Sequence, residues 1–314
     1  MQIIDNTLEH LKKLKDGDIE SFTDFDSMGL LAAPGETPEQ FRERITKLFR
    51  HLREIYAELD KKGSITLFET ITLEKARHIP PEIIGEAAEI NNKFYGFSIR
   101  WVPGFFLSRN LSFLWGGCAI SFPEDSLSVF LIRAAFAEKR KWLFYTREEL
   151  LAHELCHIAR LPLKDRAFEE FFAYRLSHSG FRRYIGNCFR YYYDALFFII
   201  PFFILLGAQI CRMFFDLRHI PEYPFWILVA AYPIFLLIRN QLGRNLVFKA
   251  EKKLYAAGIK NPKAVLFRCV KDEIAEFAEF SGNITDLMKQ KAEKELRWAV
   301  ILKRFVSGSQ ENKE

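Results

Sequence analysis

The spacing of apolar residues changes character several times along the chain, and each change predicts a different kind of element. In residues 37–59 the apolar positions recur at helical spacing. Phe41, Ile45, Leu48, Phe49, Leu52, Ile55 and Tyr56 then share one face, which predicts an amphipathic packing helix. Thr37, Pro38 and Gln40 supply its start: a capping threonine, a proline at the first helical position and a glutamine at the third. Residues 1–36 carry weaker signals, a short helix around 8–14 followed by a polar segment. Over 63–146 the period shortens. Residues 64–73, 97–102, 113–122, 127–133 and 142–145 are short and rich in β-branched and aromatic side chains, which predicts strands, with a helix at 81–93 among them. Gly116-Gly117 marks a bulge or bend in the third of these strands.

From Thr146 the helical period returns. Thr146 and Glu149 form a capping box, Leu150, Leu151, Leu155 and Ile158 supply the buried face, and Pro162 stops the helix after Arg160. A short link then allows a second, antiparallel helix with Asp165 as its cap. Two runs without any charge follow, 195–211 and 223–238, joined by a brief linker. A bilayer span needs about 17 to 25 residues, so each run is at the short end. Together they read as a transmembrane helical hairpin, with Pro201 and Pro233 tolerable inside it and Tyr191 to Tyr193, Tyr223 and Trp226 suited to the interfaces. A buried apolar helix pair of a soluble protein is the other reading. Beyond the hairpin, residues 241–306 read as helices. Gly258 ends one, Asn261-Pro262 opens the next, and Asn283 or Thr285 opens a third that runs through Trp298 to Phe305.

The resulting fold class is α+β, in four regions: an N-terminal helical region (1–62), a domain with a small sheet and the Thr146 helix (63–192), the transmembrane hairpin (193–240) and a C-terminal helical region (241–314). Composition adds the compartment. Five scattered cysteines without a CxxC pair argue for reduced thiols, and the N-terminus lacks the apolar core of a signal peptide. Arg175, Arg182, Arg183 and Arg190 flank the hairpin on one side and Arg239, Arg244, Lys249, Lys252 and Lys253 on the other, against Arg212 and Arg218 in the connection. The positive-inside rule then places both flanks in the cytosol. A net charge of +5 is too mild to imply nucleic acid, so the expected partners are the lipid bilayer and a peptide or protein substrate, membrane-bound substrates included.

Candidate chemistry is concentrated in the Thr146 helix. His153-Glu154-Leu155-Cys156-His157 puts two imidazoles one turn apart on one face, with a carboxylate beside them: the HExxH zinc-hydrolase pattern. A catalytic zinc ion needs a third protein ligand. Glu169 and Glu170, one turn inside the second helix, lie level with His157, and the residues alone leave both open. Cys156 points off the ligand face and reads as core packing.

HELCH followed by Glu170-Phe171-Phe172-Ala173-Tyr174 resembles the HExxH and ExxA elements of gluzincin-type metallopeptidases, over about 30 residues. The resemblance implies a zincin fold, Zn2+ held by His153, His157 and Glu170, and metal-assisted peptide hydrolysis with Glu154 as general base. The zinc ion there acidifies a bound water and polarises the scissile carbonyl. It also implies an edge strand that pairs with extended substrate, expected here at 127–132. Where several gluzincin families have Asp or Asn four residues after the glutamate ligand, this chain has Tyr174. Tyr174 and His178, at successive i+4 steps from Glu170, are the expected donors to the developing oxyanion. Integral-membrane peptidases similar to the heat-shock and prenyl-protein proteases offer a rival ligand beyond the hairpin, Glu273 or Glu276, but Phe277 stands where their aspartate would be. Against all of this stand a non-catalytic membrane scaffold and an inactive zinc-binding relative.

Overall fold

In the computed structural model, residues 2–67, 71–107, 116–122, 127–215 and 221–306 are described. The stretch 113–115 of the third expected strand and Arg218 lie outside them. The chain opens with α1 (Gln2–Lys13) and α2 (Ile19–Ser27), then the long α3 (Pro38–Lys62), which keeps both halves of the Thr37/Gln40 capping box and stops at Gly63 in the left-handed conformation, φ 76°. Five of its seven predicted face residues are buried, with Ile55 and Tyr56 half-buried. The stretch 64–73 is divided, with β1 (Ser64–Leu67) pairing back on β2 (Ile71–Glu74). After α4 (Pro81–Tyr95), residues 97–102 are not a strand. Their backbone has a different partner: Ser98 N donates to Ser27 O (2.7 Å) and the Trp101 indole donates to Met28 O, so the segment is spent on the turn after α2. The strand comes later, as β3 (Gly104–Leu107).

β3 pairs in parallel with β5 (Leu127–Arg133), and β4 (Gly117–Phe122) pairs antiparallel with β5 on its other side. β5 is therefore the central strand, and the expectation that 127–132 forms the substrate edge is wrong: residues 127–132 pair with β4 on one side and residues 130–133 with β3 on the other. Gly117 begins β4 rather than bulging within it. A Cβ there would lie 2.9 Å from both Ile132 Cγ2 and Leu131 O, so only glycine allows this approach to β5.

The chain continues through α5 (Ala135–Glu138), the small β6 (Lys141–Trp142) and β7 (Tyr145–Thr146) hairpin, α6 (Arg147–Arg160), α7 (Glu169–Tyr174) and α8 (Gly180–Ile185). α9 (Tyr192–Phe214) and α10 (Tyr223–Ala256) are both long and apolar enough to cross a membrane, with mean hydropathy 2.1 and 1.5 over their most apolar windows. Only 17% of each window is buried within the protein, which is not how a core helix pair of a soluble protein sits. α10 then runs past residue 240 and buries Val247, Ala250 and Leu254 in the main core. α11 (Pro262–Phe267), α12 (Lys271–Glu279), α13 (Ile284–Ala292) and α14 (Leu296–Phe305) complete the chain, the last expected helix being broken at 293–295.

One apolar cluster takes in residues from Ile4 to Ile301, so the N-terminal and C-terminal helices wall the same core as α6. Charge ties the two ends together. Asp26, buried, accepts from Arg268 Nε at 3.0 and 2.9 Å and from Arg304, and Tyr95 stacks on Phe267 at 4.3 Å.

Candidate metal centre

α6 starts at Thr146, whose hydroxyl accepts from Glu149 N (3.3 Å), but the reciprocal half of the expected capping box is absent. Glu149 instead pairs with Arg182 of α8 at 2.8 Å. The predicted apolar face, Leu150, Leu151, Leu155 and Ile158, is buried as expected. Cys156 also packs inside, its thiol 3.7 Å from Asn91 Oδ1. A 3-10 turn at Leu161–Leu163, with Lys164 left-handed (φ 52°), reverses the chain. Asp165 does not cap α7. It accepts from Ala167 N (3.1 Å) and pairs with the buried Arg160 (2.9 Å), so it fixes the link, and α7 begins only at Glu169.

This reversal carries Glu170 to the two histidines. His153 Nε2 lies 3.6 Å from Glu170 Oε2, His157 Nε2 lies 3.6 Å from Glu170 Oε1, and the two Nε2 atoms are 3.1 Å apart. The three ligand atoms thus lie within 4.8 Å of one another, the one such His/Cys/Asp/Glu set among the described residues. Glu169 turns away and lines a separate cavity with Lys164 and Arg166. The rival glutamates are engaged elsewhere: Glu273 accepts from Arg297, Trp298 Nε1 and Val270 N, and Glu276 pairs with Lys291 at 2.7 Å.

Glu154 sits alongside, nine-tenths buried, its Oε2 accepting the N–H of Ala119 at 2.9 Å. Since Gly116 O accepts from Arg133 N of β5, the alternate residues 117 and 119 turn their backbone groups the opposite way, towards α6. Among the described residues β4, not β5, is the edge strand on the side of the site. Burial dominates the electrostatics. It pushes the Glu154 carboxyl up to about 7 against the pull of the Ala119 N–H. Burial, then the charges of Glu154 and Glu169, push Glu170 up to about 8. Burial also holds both imidazoles neutral, His157 down to about 4 with Arg160 adding to it, and His153 well below its usual range with His157 and Arg182 adding to it. Neutral imidazole is the form that ligates metal.

Comparison with known protein families, curated proteins and solved structures returns no match.

A cavity of about 160 Å³ adjoins the cluster, lined by His153 and Glu154 and by Tyr145, Glu149, Tyr174 and Arg182 among others. The rings of Tyr174 and His153 meet at a steep angle, centroids 4.5 Å apart. His178 is not brought in. α7 ends at Tyr174, so the i+4 progression breaks and His178 lies exposed in the bend that follows. In the sequence Glu149 has a capping role, Arg182 a place in the basic flank and Tyr145 a place in a strand, and none of them is marked as a cavity residue; Tyr145 and Arg182 reach the cavity from other elements, and Glu149 lies on α6 one turn before His153. Gly186 is the other unforeseen residue: a Cβ there would fall 2.2 Å from the Tyr174 ring. Gly186→Ala is expected to drive Tyr174 off His153 and to lower stability by about 1–3 kcal/mol, the usual range for overpacking. Gly180→Ala on the same helix, where a Cβ meets only Arg183 Nη2 at 3.8 Å, is expected to be close to neutral in the same thermal-unfolding assay.

Proposed function

We propose that the protein is a membrane-anchored, zinc-dependent peptidase whose metal is held by His153, His157 and Glu170 and whose general base is Glu154. The observation that carries this is the convergence of three donor atoms from two helices beside the HExxH glutamate. Two neutral imidazoles and a carboxylate match the donor set of a catalytic zinc site, which keeps a further position open. When bound, the ion would acidify water and polarise the scissile carbonyl.

The chain's own groups account for the remaining work. Ala119 N–H fixes the Glu154 carboxylate, which takes the proton from the attacking water and returns it to the leaving amine. Tyr174, held against His153, is the hydroxyl placed to donate to the developing oxyanion. With the Ala119 N–H held by Glu154, the outward edge of β4 offers the remaining backbone groups of Gly117 and the carbonyl of Ala119 to an extended peptide, the role expected of 127–132. The zincin-like domain stays tied to the hairpin at its base. Arg175, just after α7, pairs with Glu251 of α10 at 2.7 Å, while Asp194 of α9 accepts from Arg239 Nη2 (2.6 Å) and Tyr232 OH (2.8 Å) of α10 and so holds the two hairpin helices to each other. The basic flanks of the hairpin support a cytosolic site, and this coupling supports a site close to the bilayer.

The test is hydrolysis of a quenched-fluorescence peptide library by the full chain in nanodiscs. Activity is expected to vanish on treatment with a chelator and to return with Zn2+. Hydrolysis that survives metal stripping would contradict the proposal.

A further inference from the structure

We propose that the β6–β7 hairpin is a second, non-spanning membrane contact, a finger whose Leu143 and Phe144 enter the headgroup layer of the leaflet at the base of α9 and α10, with anionic lipid as its partner. This rests on α9 and α10 spanning the bilayer, and adds an element that the hairpin helices do not require.

The turn itself is the first observation. Trp142 pairs with Tyr145 and Lys141 with Thr146, so Leu143-Phe144 is a two-residue loop. Leu143 has φ 51°, and a hairpin turn with positive φ at its first loop position favours glycine there, because a Cβ is crowded in that conformation. The chain instead places leucine, followed by a phenylalanine that is 78% exposed. Water rewards neither side chain for this cost. A lipid surface rewards both.

Charge is the second observation. Lys139, Arg140 and Lys141 are exposed immediately before the tip; Arg140 is shared with Glu148 (2.6 Å), and the two lysines extend the basic stretch. Cations behind an apolar tip are the composition of an interfacial anchor on anionic lipid.

Position is the third. Tyr145, at the base of the finger, lies under the Arg182 guanidinium at 4.5 Å. Arg182 belongs to α8, where Phe181 is also exposed and where Tyr184 OH and Arg183 O bond Gln241 and Arg244. Those two residues lie where the apolar stretch of α10 gives way to polar residues. Finger, α8 and the emerging end of α10 are thus one continuous surface. Tyr145 and Arg182 line the cavity as well, so docking the finger turns that cavity towards the lipid surface and favours substrates presented there.

The experiment uses the full chain, with Cys118 and Cys211 replaced by serine, in nanodiscs with and without anionic lipid. An environment-sensitive fluorophore is attached through Phe144→Cys, Leu228→Cys or Lys61→Cys, and a bilayer-borne quencher is added. The probe at 144 is expected to be blue-shifted and quenched several-fold in anionic nanodiscs, less so after Lys139→Glu with Lys141→Glu, while 228 is quenched in both lipids and 61 in neither. A water-like probe at 144 with 228 quenched overturns the finger and leaves the spanning helices standing. Absence of quenching at both overturns the two together. Equal quenching at 144 in zwitterionic and anionic nanodiscs overturns the assignment of anionic lipid as partner.

Discussion

Glu154→Gln is expected to cut peptide hydrolysis by roughly 10²–10⁴-fold, the range supplied by a positioned general base, while leaving bound metal and thermal stability nearly unchanged. The substitution is close to isosteric. Its amide oxygen still accepts the Ala119 N–H that Glu154 Oε2 accepts at 2.9 Å, so the link between β4 and α6 survives. What it removes is the capacity to take up a proton next to the His153, His157 and Glu170 cluster. Parallel measurement of kcat/KM and metal content separates the readings. A scaffold would show no dependence of its cellular role on this atom. An inactive zinc-binding relative would hold metal and hydrolyse nothing even with Glu154 in place.

Arg160→Met is expected to cost about 3–5 kcal/mol of stability, as removal of one partner from a buried ion pair does. Arg160 is fully buried and donates to Phe267 O, Cys269 O and Asp165, and its guanidinium lies 4.6 Å from the centre of the Phe172 ring. Without it, Asp165 is left buried at the turn that aims Glu170. Adding Asp165→Asn should recover part of the loss, because the stranded charge is then gone. Chemical denaturation in detergent measures both variants. A single-variant loss below about 1 kcal/mol, typical of an exposed pair, would contradict this account of how the α6–α7 turn is held.

The site was legible where its chemistry is local in sequence. His153 and His157 need only helical spacing, and Thr146 and Pro162 mark the helix that provides it. Glu170 follows from the short reversal plus the resemblance, and of the two glutamates the residues alone leave open it is Glu170 that lies beside the histidines. The failures share one cause. His178 requires α7 to continue beyond Tyr174, Asp165 requires a helix that starts at once, and 127–132 requires a strand order that places it at the edge. Helix ends and strand neighbours are decided by tertiary contacts, such as Arg160 on Asp165 and β3 on β5. Arg182, which reaches the cavity from α8, and Gly186, which packs against the Tyr174 ring, leave no periodic trace. The fold class and the apolar hairpin helices were readable because summed burial and length speak over many residues. The shared core was not, since it depends on pairs such as Asp26 with Arg268 that are distant in the chain.

The central claim is that His153, His157 and Glu170 hold a catalytic metal ion. Elemental analysis of the full chain, purified from membranes without chelators, tests it most directly when run beside His157→Ala. The account predicts about one zinc per chain in the wild type and its loss in the variant, because zinc sites of this kind need their three protein ligands. Wild-type protein without stoichiometric metal, or His157→Ala protein that retains it, would contradict the account.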